Sequence, residues 1–138
     1  MHYKSIHIGL LIIRIGLGIL FLIHGVPKLI GGIEKWTGLG KAMANLGITF
    51  APAFWGFMAA FAESFGAIAL ITGFFFRPAA FMLAGTMLVA VSMHYFNGDA
   101  YVPGISYPLE MFVVFVSLLV AGPGNFTINE FFNPDGQD

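Results

Sequence analysis

Cysteine is absent from the chain and charged residues are scarce. Without cysteine there is no disulfide, no thiolate metal site and no thiol redox chemistry of the chain's own, so any electron transfer would need a cofactor, a bound quinone or a partner. Charged residues make up 9% of the sequence, against ~25% in soluble domains, which is too few to cover a water-facing surface. There is no basic run and the net charge is −1, so nothing points to nucleic acid. What fills the sequence instead is apolar: 58% hydrophobic residues and a mean hydropathy of +0.86 over 138 residues. One integral membrane domain is implied. The first apolar stretch is interrupted by Arg14 and followed by no small-residue cleavage site, so it reads as a retained membrane helix.

A helix needs ~20 residues to cross ~30 Å of hydrocarbon. Long enough or nearly so are residues 8–29, closed by Gly31-Gly32; 53–75, opened by Pro52; 78–96, opened by Pro78 and ended by Asn97-Gly98; and the shorter 106–121, stopped by Gly122-Pro123-Gly124. Between the first two, residues 33–47 carry Ile33, Trp36, Leu39, Met43 and Leu46 at helical steps, with Glu34, Lys35, Lys41 and Asn45 on the other face. That segment is too short to span and reads as an amphipathic helix at the membrane surface. The expected fold is an all-α membrane protein: an antiparallel four-helix bundle with an interfacial helix between its first two spans. Both termini then share one side, the tail 122–138 lies there, and its last polar residues are expected to fray. Lys4 and Arg77 on the terminal side against Lys28, Lys35 and Lys41 on the loop side leave the orientation open.

Six strongly polar side chains lie within the apolar stretches: Arg14, His24, Lys28, Glu63, His94 and Glu110. A charge at the bilayer centre costs at least ~2.5–3.5 kcal/mol, so such residues are read first as functional or as paired. Measured from the side bearing the 30–52 and 97–105 loops, Lys28, Glu110, His94 and His24 fall within ~6–8 Å of one level. Tyr95, Tyr101 and Tyr107 flank it. Arg14 and Glu63 lie deeper, ~21 Å and ~16 Å from that side, which suggests an ion pair between the first two spans. On the first helix Arg14, Gly18, Phe21, Gly25 and Lys28 share a stripe roughly 40° to either side of one direction, with His24 at its edge. Its glycines would admit a neighbouring helix or a flat ligand. His24, His94 and Glu110 match a metal-binding facial triad by type, but Lys28 beside them opposes a cation, and no metal is expected. Haem between the two histidines is a remote option.

Together these motifs resemble the DoxX family of small four-span membrane proteins. The resemblance rests on an arginine early in the first helix, "HGVPKL" (24–29), "AESFGAIALITG" (62–73), "RPAA" (77–80), a histidine closing the third helix, "YPLE" (107–110) and "GPGNFTIN" (122–129). It covers about residues 8–129. The chain departs from the family where Asn129 replaces a usual aspartate. The resemblance implies a bacterial cytoplasmic (inner) membrane protein. Some relatives belong to membrane oxidoreductase assemblies, including a thiosulfate:quinone oxidoreductase, and more distant ones act as cargo receptors or assembly chaperones.

Two functional readings follow. In the first, His24, Lys28, His94, Glu110, Tyr95 and Tyr107 bind a quinone or relay its proton, and the chain is an accessory subunit of a redox complex. In the second, the chain is a non-catalytic scaffold, assembly factor or small transporter, and the same residues hold helices together, bind a partner protein or seal a homo-oligomer. The lipid bilayer is a partner in both.

Overall fold

The computed structural model of the chain describes residues 2–133, and the side chains of residues 3–133. It contains α1 (His2–Leu29), α2 (Gly32–Gly40) running into a 3-10 turn (Lys41–Leu46), α3 (Pro52–Thr72), α4 (Phe76–Phe96), a bent turn (Tyr101–Ile105) leading into α5 (Ser106–Ala121), and a short α6 (Ile128–Phe132). No strand occurs among the described residues. Among the described residues four segments are long and apolar enough to cross a membrane: Tyr3–Leu29, Pro52–Thr72, Phe76–Phe96 and Tyr101–Ala121. The expected tail end at 134–138 lies outside the described residues.

The turn between α3 and α4 comes earlier than the prolines suggest. Gly73 takes a left-handed conformation (φ 75°), and its N–H closes α3 on the Ala69 carbonyl at 2.9 Å. Phe75 (φ 51°) then caps α4. Pro78 therefore lies inside the first turn of α4 rather than opening it, at a position whose N–H would have no intrahelical partner.

The buried residues of α1 are Arg14, Gly18, Phe21 and Gly25, with Lys28 half-buried on the same stripe. The two glycines seat α1 on α3. A Cβ at Gly18 would run into Ile71 and the Ala67 carbonyl, and one at Gly25 would come 2.8 Å from the Glu63 carbonyl carbon and the Ser64 nitrogen. Gly18 thus sits beside residues 67–71 and Gly25 beside residues 63–64, so the two helices run in opposite directions. Phe21 meets Phe115 of α5 edge-on, with centroids 5.0 Å apart, and this contact closes the bundle over Leu70, Leu83, Met87 and Leu118.

The helix expected over 33–47 is present in two pieces and packs along the first half of α3. Two glycines make the crossing close: a Cβ at Gly40 would overlap the Pro52 carbonyl, and one at Gly56 the Trp36 carbonyl. Trp36, Leu39 and Met43 turn toward the bundle, whereas Ile33 (66%) and Leu46 (48%) remain exposed. The Trp36 indole N–H donates to the Lys28 and Leu29 carbonyls at 3.1 and 3.2 Å, which satisfies the otherwise open end of α1.

Candidate functional site

The expected Arg14–Glu63 pair does not form. Arg14 is fully buried and its guanidinium donates to four carbonyls: Leu70 (2.8 Å), Ile71 (2.9 Å), Pro123 (2.8 Å) and Phe126 (2.8 Å). Two of these acceptors lie at the C-terminal end of α3, where carbonyls lack helical partners and the dipole is negative. The other two belong to the tail. The cation also lies 5.8 Å from the centroid of Phe76. Gly73 makes room for it, since a Cβ there would come 2.7 Å from the guanidinium.

Glu63 instead pairs with Lys28, whose Nζ donates to Oε1 at 2.9 Å and to Oε2 at 2.7 Å. The side chains are 5% and 30% exposed, respectively. The reason lies in side-chain direction, which matching backbone depths leaves out. Helical side chains lean toward their own N-terminus. Lys28 on α1 therefore leans into the bundle, and Glu63 on the antiparallel α3 leans toward the loop side, so the two converge. Arg14 leans the same way as Lys28, away from Glu63 and toward the end of α3. Since Gly25 sits at the level of Glu63, Arg14 lies 11 residues or ~16 Å beyond it along α1.

Lys28, Glu63, His94 and Tyr107 line one cavity of about 240 Å³ between α1, α3, α4 and the start of α5, roofed by Leu39 and Ala42. His94 Nδ1 bonds the Asp99 carboxylate at 2.6 Å. That contact uses one ring nitrogen as the donor to the carboxylate and leaves Nε2 as the nitrogen able to take or give a proton. Gly104 gives the pair its space, because a Cβ there would come 2.9 Å from Asp99 Cβ. Asp99 was not foreseen from the sequence. The signal was the Asn97-Gly98 turn, in which Gly98 (φ 75°) brings the chain back so that the Asp99 N–H reaches the His94 carbonyl at 3.0 Å.

The remaining expected site residues do not join the chamber. His24 and Glu110 are exposed on the outer faces of α1 and α5, and neither side chain has a hydrogen bond among the described residues. Tyr95 is 68% exposed. Tyr107 lines the chamber and is half exposed. With His24 outward and His94 held by Asp99, the two histidines do not face each other as a haem pair would require. Among the described residues no three histidine or carboxylate side chains gather as a metal site would need.

The DoxX family model matches residues 9–95. The chain belongs to the DoxX family. The match takes in Arg14, Lys28, Glu63 and His94, hence both buried polar centres of this DoxX protein, while Asp99, Tyr107 and the tail carbonyls that hold Arg14 lie beyond it. Neither the search of curated proteins nor that of solved structures gave a match. The chain is thus a DoxX membrane protein whose described residues include four helices long and apolar enough to span a bilayer.

Proposed function

We propose that this DoxX protein binds a quinone through its chamber and serves as an accessory subunit of an oxidoreductase in the bacterial cytoplasmic membrane. The observation that supports this reading is that an ion pair, a carboxylate-held histidine and a phenol open on one cavity between the helices. A quinone head presents two carbonyl oxygens, and the Lys28 ammonium and Tyr107 hydroxyl are donors for them. Reduction to the quinol takes two electrons and two protons. The electrons come from a redox partner subunit, because the chain has no thiol of its own. His94 passes protons at Nε2 to the quinone oxygens and is recharged from the loop side past Asp99, which is 43% exposed along its side chain.

The outward His24 and Glu110 support the subunit part of the reading. Ionisable side chains within spans almost always face the bundle interior or a water-filled cavity and pair with other polar groups, so outward ones call for a partner to cover them. From the Phe21–Phe115 contact, His24 lies ~4.5 Å and Glu110 ~7.5 Å toward the loop side by helical rise. Both fall at one level on the two helices that carry that contact, as contact with a single partner requires.

The test is a titration of a short-tailed benzoquinone into the purified protein, wild type and variants. His94→Ala and Lys28→Met each raise Kd at least ~tenfold, the loss of about one charge-assisted hydrogen bond. His24→Ala and Glu110→Gln leave it unchanged. Equal binding by folded His94→Ala and Lys28→Met proteins would overturn the reading in favour of a scaffold.

A further inference from the structure

The chamber's 240 Å³ falls below the ~300–1,000 Å³ of ordinary ligand sites. It can take a polar head and little more. Leu39, Ala59, Thr86 and Val89, however, line both the chamber and an apolar cavity of about 300 Å³ on their far side, walled by Met43, Met58 and Met82. Methionine adapts its shape to flexible apolar ligands. Met82 in turn lines a third space, an apolar groove of about 430 Å³ walled by the stacked Phe61 and Phe65 and by Phe74 and Phe75. The three spaces follow one another along the seam between α3 and α4. From His94 to Phe75 that seam spans 19 residues, ~28 Å by helical rise, close to the ~30 Å hydrocarbon thickness of a bilayer.

We propose that the α3–α4 seam holds the hydrocarbon tail of the molecule whose head sits at Lys28, Tyr107 and His94. The ligand class is then a single-tailed amphiphile, a small hydrogen-bonding head on one long acyl or isoprenoid chain, and it enters sideways from the bilayer. This rests on the reading of the chamber as a head-group site. Lipid is as apolar as the groove, so the seam gains little by the hydrophobic effect and selects by shape.

Gly85 gives a steric handle. It lines the 300 Å³ cavity, and a Cβ built on it meets nothing within 4 Å. Gly85 is exposed at the cavity's edge and a side chain there starts in open space, so Gly85→Phe is the variant that narrows the cavity, and Gly85→Ala is the control. Two probes are titrated in wild type and both variants: a benzoquinone with a ten-carbon tail and its tail-less parent. The expected result is at least a tenfold loss of the tailed probe in Gly85→Phe only, with the tail-less probe unchanged. Equal binding of the tailed probe by wild type and Gly85→Phe overturns the groove while leaving the chamber standing. Failure of wild type to bind either probe overturns the chamber reading and this inference with it. A tail carrying a terminal diazirine, photolysed in the wild-type protein, gives an answer independent of the variant's folding. Adducts on residues 82–89 are expected, and adducts confined to α1 or α5 refute the path.

Discussion

Paired double-mutant cycles separate the charge pairing in the bundle from the one that depth alone suggests. Glu63→Gln, Lys28→Met and Arg14→Met are made singly and in the combinations Lys28/Glu63 and Arg14/Glu63. Glu63 is 5% exposed and Lys28 30% along the side chain, so water screens the pair weakly. Removing one partner of such a pair strands the other and costs about 3–5 kcal/mol. Removing both strands neither, so the double variant costs no more than about either single one and falls short of the sum by at least about 3 kcal/mol. Arg14 loses four carbonyl contacts, and breaking a buried network of this kind also costs about 3–5 kcal/mol. Its loss adds to that of Glu63 within ~0.3–0.5 kcal/mol, because the sites are ~16 Å apart along the helices and share no partner. Unfolding by titration with denaturing detergent in mixed micelles reads all six proteins. Additive losses for Lys28/Glu63, or a coupling of ~1 kcal/mol or more for Arg14/Glu63, would refute the assignment.

Other expectations follow from single contacts. Arg14→Met frees the tail from α3, so proteolysis or hydrogen exchange across residues 122–132 accelerates, while Lys28→Met leaves it unchanged. Gly56→Ala drives a methyl into the Trp36 carbonyl and destabilises the protein by about 1–3 kcal/mol, seen as a lower Tm and faster exchange in residues 32–46. Asp99→Ala releases the His94 ring and raises quinone Kd about tenfold, with folding unaffected because both side chains lie at the bundle's margin. His24→Ala with Glu110→Gln leaves quinone binding intact and lowers recovery of the redox partner in a gentle pull-down.

Much of this arrangement could be read from residue pattern. The stripe of Arg14, Gly18, Phe21, Gly25 and Lys28 is the buried face of α1 because 3.6-residue periodicity fixes which side chains share a side. The four spans follow from length and hydropathy. Pairing was less legible, because a backbone level says nothing of the direction in which a long side chain leans. Glu63 and Lys28 meet across a level difference that their opposite tilts close, and Arg14 finds carbonyls rather than a carboxylate. Docking of α2 was hidden for another reason. It depends on Gly40 and Gly56 being absent side chains at one crossing, and that crossing exists only once the chain has folded back. His24 and Glu110 lie at the depth their positions gave them but face outward, since depth alone does not specify helix rotation for α5, where few polar residues mark a face.

Native mass spectrometry of the protein released gently from its own membrane tests the central claim most directly. Wild type should carry one added mass matching a tailed quinone, and His94→Ala and Lys28→Met should have lost it while keeping the wild-type oligomeric state. A wild-type chain without that mass, or variants that retain it, would contradict the claim and leave Lys28, Glu63 and His94 as structural contacts between helices.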